Sequence, residues 1–193
     1  MLNDKEILIR AYQQSMIHPV MDTLVREEKE VGRLSYGISS FGYDVRLAET
    51  VQIFSDINGV ILDPKRPDTS NLVTLKVHED VDTGEQYVIM PPHTYALGHT
   101  VESFNIPKDV SVGVLGKSTY ARSGLIVNVT PIEAGFSGQV VIEIANTVNL
   151  PCKVYINEGI AQFQFHEGNP CSVSYGERAG KYQDQRGITL GKV

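Results

Sequence analysis

A chain of 193 residues, 41% hydrophobic and 21% charged, has the length and apolar content of one soluble domain with a sizeable core. Its formal net charge of −6 argues against a general nucleic-acid or anionic-membrane binder, yet leaves room for a small basic pocket around one anionic ligand. Two cysteines, Cys152 and Cys171, are too few for a disulfide scaffold, the first residues carry no signal-peptide pattern, and no stretch approaches the ~18 apolar residues of a membrane span. The expectation is a cytoplasmic protein with no nucleic-acid or membrane partner.

In chain order, Asn3 or Asp4 with Glu6 and the periodic Ile7, Leu8 and Ala11 cap and start a short helix. Residues 18–33 are charged and irregular, and read as a surface excursion; Ser35 to Asp44 mixes Gly, Ser and aromatics, as in a tight loop entering a strand at Tyr43–Leu47. A strand is expected at Val51–Ile57, followed by an Asn58-Gly59 turn and a loop over residues 63–68. Short strands follow at Leu72–Val77, Gln86–Met90, Thr94–Gly98, Val110–Leu115, Leu125–Val129, Gln139–Ala145, Cys152–Ile156 and Ile160–Phe165, with a last one near Ser172–Tyr175. Pro, Asn and Gly punctuate them, and no helical period separates them, so the pattern predicts an all-β sandwich or distorted barrel rather than a βαβ fold. The domain reading is a single unit over 1–193, with an N-terminal helical and irregular segment (1–34), a β core (35–175) and a polar C-terminal tail (176–193). Poor in apolar anchors, that tail is expected to be mobile unless a ligand or neighbouring subunit orders it.

Chemistry concentrates in residues 116–143. In Gln139–Ala145, alternation puts Val140, Ile142 and Ile144 on one face and Val141, Glu143 and Ala145 on the other. A pocketed Glu143 would have its pKa raised toward a value useful for proton transfer; on a solvated face it would be an ordinary exposed carboxylate. Lys117, Ser118, Thr119 and Arg122 supply two cations and two hydroxyls after a strand, with Gly116 allowing close approach. They suit an anion; the plainer alternative is a charged turn with ordinary salt links. A nucleotide P-loop is disfavoured, because Ser111 stands where its first glycine is needed and the βαβ context is missing. The scattered histidines and the isolated Pro151-Cys152 and Pro170-Cys171 pairs lack zinc-ligand spacing, including that of the zinc nucleobase deaminases. Gly135-Phe136-Ser137-Gly138 reads as a turn or bulge, and the Asn128-Val129-Thr130 glycosylation sequon as noise in a cytoplasmic strand.

Taken together, Tyr36-Gly37, Tyr43-Asp44-Val45-Arg46-Leu47, the runs 116–124 and 128–138, Val141-Ile142-Glu143, Asn157-Glu158-Gly159, Ile160-Ala161-Gln162 and 180–187 closely resemble the dCTP deaminase family, which shares its fold with trimeric dUTP pyrophosphatases. The resemblance implies a β-clip, dUTPase-like distorted barrel assembled as a homotrimer with sites between subunits. It implies zinc-independent hydrolysis of dCTP to dUTP and ammonia, supplying dUTP for dUMP and dTTP synthesis, with magnesium carried by the triphosphate and dTTP as an inhibitor in the same pocket. By position, Glu143 would be the general base and proton shuttle, Ser118 would help fix the water and ring, and Lys117, Ser118, Thr119 and Arg122 would contact the triphosphate or support the site. Tyr175 would line the pocket while Lys181, Tyr182 and Gln185 fold over phosphates and base. Two departures matter. Lys117 replaces a frequent Arg, losing the bidentate fork but keeping the charge; Glu133, in a short 130–138 loop, stands where an Asp is frequent in relatives that cleave dUTP. Plain deamination is expected, with a bifunctional deaminase and dUTP pyrophosphatase giving dUMP and diphosphate as the alternative. A non-catalytic nucleotide-binding trimer is the reading from a different class.

Overall fold

The structure, a computed structural model, describes residues 1–28, 31–56 and 61–192. The chain opens with helix α1 (Asp4–Gln14), whose N-terminus is closed reciprocally. The Asn3 side chain accepts from the Glu6 amide at 3.1 Å and the Glu6 carboxylate accepts from the Asn3 amide at 2.9 Å, satisfying two donors that a helix start leaves unpaired. Ile7 and Ala11 then face the core.

The rest is β, in three sheets. The largest is built on β9 (Tyr95–Asn105), flanked on one side by β12 (Ser137–Asn146) and β11 (Leu125–Asn128), and on the other by β5 (Gln52–Phe54) and β6 (Leu72–Thr74). The two-residue β1 (Ile17–His18) also pairs with β9. A five-stranded sheet runs β10 (Val110–Gly116), β14 (Gly159–Glu167), β4 (Gly42–Arg46), β3 (Val31–Ser39) and β2 (Val25–Glu28). A small third sheet holds β13 (Cys152–Tyr155), β8 (Gln86–Met90) and β7 (His78–Glu79). Every strand pair is antiparallel among the described residues. The core lies between the large sheets. Phe104 of β9 meets Phe163 of β14 with ring centroids 5.0 Å apart, and Tyr43, Phe165, Ile142 and Ile144 are fully buried around them. Aromatic and β-branched side chains of this size bury most area per residue, which is why they sit where the sheets face each other.

The all-β expectation holds, and several element expectations need correction. Residues 18–33 and the supposed loop at 35–44 contain β2, most of β3 and the start of β4. Glycines at 32, 37 and 42 hid the strand pattern there; Gly37 takes φ +98, and a Cβ there would stand 2.2 Å from the Thr23 carbonyl oxygen, so only glycine fits. The strands therefore begin inside residues 1–34, ahead of the expected start of the β core at residue 35. The strand expected at Thr94–Gly98 runs on to Asn105, because its polar Thr100 and Glu102 are fully buried and partnered. Thr100 Oγ accepts from the Val140 amide at 3.0 Å, and Glu102 takes the Arg46 Nε at 2.7 Å and the Arg46 amide at 3.0 Å. Residues 172–175 form bends and turns, not a strand. The expected strand at Val51–Ile57 is shorter, and its last residue and the Asn58-Gly59 turn lie outside the described residues.

The tail is joined to the sheet. Its backbone hydrogen-bonds to the chain's own β12 and to the loop before it. The Tyr175 amide donates to the Ala134 carbonyl at 2.8 Å, Asp184 to Ser137 at 2.8 Å, and Gln139 to the Gln185 carbonyl at 3.0 Å. Backbone pairing needs no apolar side chains, so composition alone does not reveal it.

Candidate active site

Strand β12 sets the site. Val140, Ile142 and Ile144 point into the core, while Val141, Glu143 and Ala145 are half-buried on the opposite face. Glu143 stands across from Leu97 of β9 and Asn128 of β11. The register slips between Gln139 and Val141, a bulge of the kind that re-aims side chains, and Thr100 Oγ fills the gap by accepting from Val140. Among the described residues the Glu143 carboxylate accepts one hydrogen bond from another side chain, from Asn128 Nδ2 to Oε2 at 3.2 Å. Burial pushes its pKa above the ordinary glutamate value, and the Asn128 bond and its own backbone pull only part of the way back. Of the two alternatives the sequence left open, the structure selects the pocketed one.

Glu143 lies in a cleft of about 680 Å³, within the size range of small-molecule sites. Phe54, Tyr95, Phe136, Tyr175 and Tyr182 supply its aromatic walls, and Val129 to Glu133 one rim. Burial and the charge of Glu143 both raise the Tyr95 phenol, so it remains a neutral donor beside the carboxylate. The tail closes one side. Tyr175 packs on Phe136 at 5.9 Å between centroids, its hydroxyl accepts from the Tyr182 amide at 3.0 Å, and Gln185 reaches the Gln139 carbonyl with its Nε2 at 2.7 Å. Residues 189–191 complete that wall. Gln185 Oε1 is buried without a hydrogen-bond partner. Gly138 makes the docking feasible: it takes φ +132, and a Cβ there would stand 2.8 Å from the Gln185 carbonyl oxygen.

Of the expected site residues, Glu143, Tyr175, Tyr182 and Gln185 converge on this cleft, with Glu133 at its rim. Lys117, Ser118, Thr119, Arg122 and Lys181 do not line it. Lys117 is the N-cap of helix α2 (Ser118–Arg122), a single turn after β10 that contains Ser118, Thr119 and Arg122. Tyr120 anchors this turn in the core, its hydroxyl accepting from the Tyr155 amide at 2.9 Å. Lys117 is held by Asp44 Oδ2 at 2.6 Å and Ser35 Oγ at 2.9 Å. Ser118, Thr119, Arg122 and Lys181 are exposed. Among the described residues, the only charged side chains lining the cleft are Glu133 and Glu143.

Sequence reasoning missed Asn128, Tyr95 and Phe54. The strand register that brings Asn128 opposite Glu143 was the one usable signal, and the sequon masked it. Among the described residues no cluster of three or more His, Cys, Asp or Glu could hold a metal ion, and no helix is long and apolar enough to cross a membrane.

An aromatic cleft with one perturbed carboxylate on an all-β scaffold, walled on one side by its own C-terminal segment, has the make-up of a small-molecule site. The chain belongs to the dCTP deaminase-like family, whose profile matches residues 2–168. It is 49% identical over 193 residues to a dCTP deaminase of Pelagibacter ubique (strain HTCC1062), covering 100% of this chain and 98% of that one. It is likewise 49% identical over 189 residues to a dCTP deaminase of Pseudomonas fluorescens (strain Pf0-1), covering 97% and 96%. The crystal structure of 2'-deoxycytidine 5'-triphosphate deaminase from Agrobacterium tumefaciens shares the fold at TM-score 0.58 and 16% identity, over 86% of this chain and 47% of that one.

Proposed function

We propose that this chain hydrolyses dCTP to dUTP and ammonia, with Glu143 as general base and proton shuttle. The observation that carries the reading is the Glu143 carboxyl, pushed up by burial in an aromatic cleft, in a chain whose relatives at 49% identity are named dCTP deaminases. A carboxylate with a raised pKa takes a proton from water and returns it within one turnover. The hydroxide adds to C4 of the cytosine while Glu143 passes the proton to N3. Glu143 then takes the C4 hydroxyl proton and gives it to the amino group, which leaves as ammonia; N3 keeps its proton in the uracil product. The aromatic walls hold the pyrimidine plane and exclude competing water.

The triphosphate needs cations that this cleft lacks. Lys117, Ser118, Thr119 and Arg122 lie elsewhere on the chain, so a second copy supplies them in a homotrimer with sites between subunits. Lys181, at the tail, approaches the phosphates of the same ligand, and magnesium arrives as part of the substrate. dTTP, a pyrimidine triphosphate without the amino group, competes for the same cleft. Free Cys152 and Cys171 suit a reducing cytoplasm.

Glu133 supports one further reading, because it lines the same cleft as Glu143 and could orient a second water toward a phosphate. Its carboxylate instead stands 3.7 Å from Arg178 in an exposed pair, which favours plain deamination. Incubating purified protein with dCTP and magnesium and separating the products decides: dUTP with ammonia is expected, and dUMP with diphosphate would establish the bifunctional enzyme. Replacing Glu143 by Gln should abolish turnover while dCTP still binds; undiminished turnover would remove Glu143 from the mechanism.

A further inference from the structure

Asn128 has no role in the reaction as derived above. Its amide makes one side-chain hydrogen bond among the described residues, to Oε2 of Glu143 at 3.2 Å, from the strand position directly across the ladder. We propose that Asn128 is a positioning residue that fixes which oxygen of Glu143 carries the travelling proton. This inference rests on the reading of Glu143 as general base.

The argument follows from what an amide nitrogen can do. Nδ2 is a donor only and does not titrate. While it donates to Oε2, that oxygen must remain an acceptor in both protonation states of Glu143. A proton taken from water therefore resides on Oε1. Oε1 accepts no hydrogen bond from another described residue's side chain and is left for water and substrate. A shuttle must collect and deliver the proton from the same oxygen, or rotate the carboxyl between steps. The Asn128 bond removes that rotation, and adjacent paired strands hold the two Cα atoms in register, so the constraint comes from rigid elements.

The electrostatic surroundings leave this assignment to Asn128. From β9, Tyr95 faces the carboxylate as a neutral phenol. From the 130–138 loop comes Glu133, and from the tail come Tyr175 and Tyr182. Neither β11 nor β12 adds another charged side chain to the cleft, and no cation lines it among the described residues. The single amide is the sole side-chain donor to Glu143 among those residues.

The test measures kcat and KM for dCTP against pH in the full-length protein, its Asn128→Ala and Asn128→Asp variants, and Glu143→Gln, with dCTP binding followed by calorimetry. Losing a hydrogen bond to a charged group should lower kcat about 10- to 100-fold while dCTP affinity stays within about threefold. The acidic limb of kcat should move to higher pH in both Asn128 variants, because a donor that favours the carboxylate is gone. It should move further in Asn128→Asp, which keeps the shape of Asn and adds a like charge. A merely structural role would leave that limb in place. If Glu143→Gln is inactive while both Asn128 variants keep the wild-type kcat and limb, the positioning role is overturned and Glu143 stands. If Glu143→Gln turns over like wild type, the reading of Glu143 fails and the inference falls with it.

Discussion

Two carboxylates on neighbouring strands of the same sheet, Glu102 buried and Glu143 half-buried, have been put to different use. Glu102 is fully buried, and burial pushes its carboxyl up while Arg46 pulls it back down. The Arg46 guanidinium and backbone satisfy both oxygens, and the same guanidinium rests 5.2 Å from the Tyr36 ring centroid. Removing one member of a buried pair strands the other. Arg46→Ala should cost about 3–5 kcal/mol in denaturant unfolding, and loss of under ~1 kcal/mol would mean that water reaches Glu102. Glu143 has only a neutral donor, so its charge is a standing cost in the folded state. Its folded pKa lies above the unfolded one, so this group's contribution is most favourable below the ordinary glutamate pKa and is lost as pH rises through the folded value. Glu143→Gln should therefore melt higher than wild type at neutral pH, with the gain fading as pH falls toward 4. Melting curves at several pH values check the sign, and a gain that grew on acidification would contradict it.

At the scale of elements, the tail and β12 form a small functional unit. Gln139 grips the tail three ways: its amide reaches the Gln185 carbonyl, its carbonyl accepts from the Gln185 side chain, and its Oε1 accepts from the Gly187 amide at 2.8 Å. The tail backbone passes over Gly138 too closely for any Cβ. Gly138→Ala adds strain at a position only glycine adopts easily, of order 1–3 kcal/mol, which falls on tail docking because the sheet beneath is buried. Tail cleavage under limited proteolysis should accelerate on the order of tenfold, with KM for dCTP rising while the core of the sheet keeps its hydrogen-exchange protection. Slowed exchange loss in the tail together with unchanged cleavage would show that the strain is absorbed elsewhere. Helix α2 is a comparable case: a single turn is too short to be stable alone, and the buried Tyr120 is what holds it.

The whole molecule shows a division between a cleft with acid–base and aromatic groups and a set of cations outside its lining. A shared site reconciles the two, and it can be tested without a structure. Glu143→Gln and Arg122→Ala chains should each be nearly inactive. When unfolded together and reassembled, about a quarter of the sites should combine an intact Glu143 with an intact neighbouring Arg122, recovering about a quarter of wild-type activity. Recovery of none would place both groups in one subunit's site. Sedimentation should give three times 21.3 kDa.

The all-β class and the family were legible in the chain alone, because strand alternation and turn residues are local signals and the family's motifs are contiguous. Glu143 could be placed on the face opposite Val140 and Ile142 by counting. Whether that face was wet or enclosed could not be counted, since the answer depends on Tyr95 and the tail, which lie far from it in sequence on either side. The same holds for β3, hidden by glycines that only a neighbouring carbonyl explains, and for the long β9, whose buried Thr100 and Glu102 look like surface residues until Arg46 and Val140 meet them. Asn128 is the sharpest instance. As a residue in sequence it spelled a sequon; only pairing between β11 and β12, a matter of register set by the packed sheet, turned it into the donor that holds Glu143.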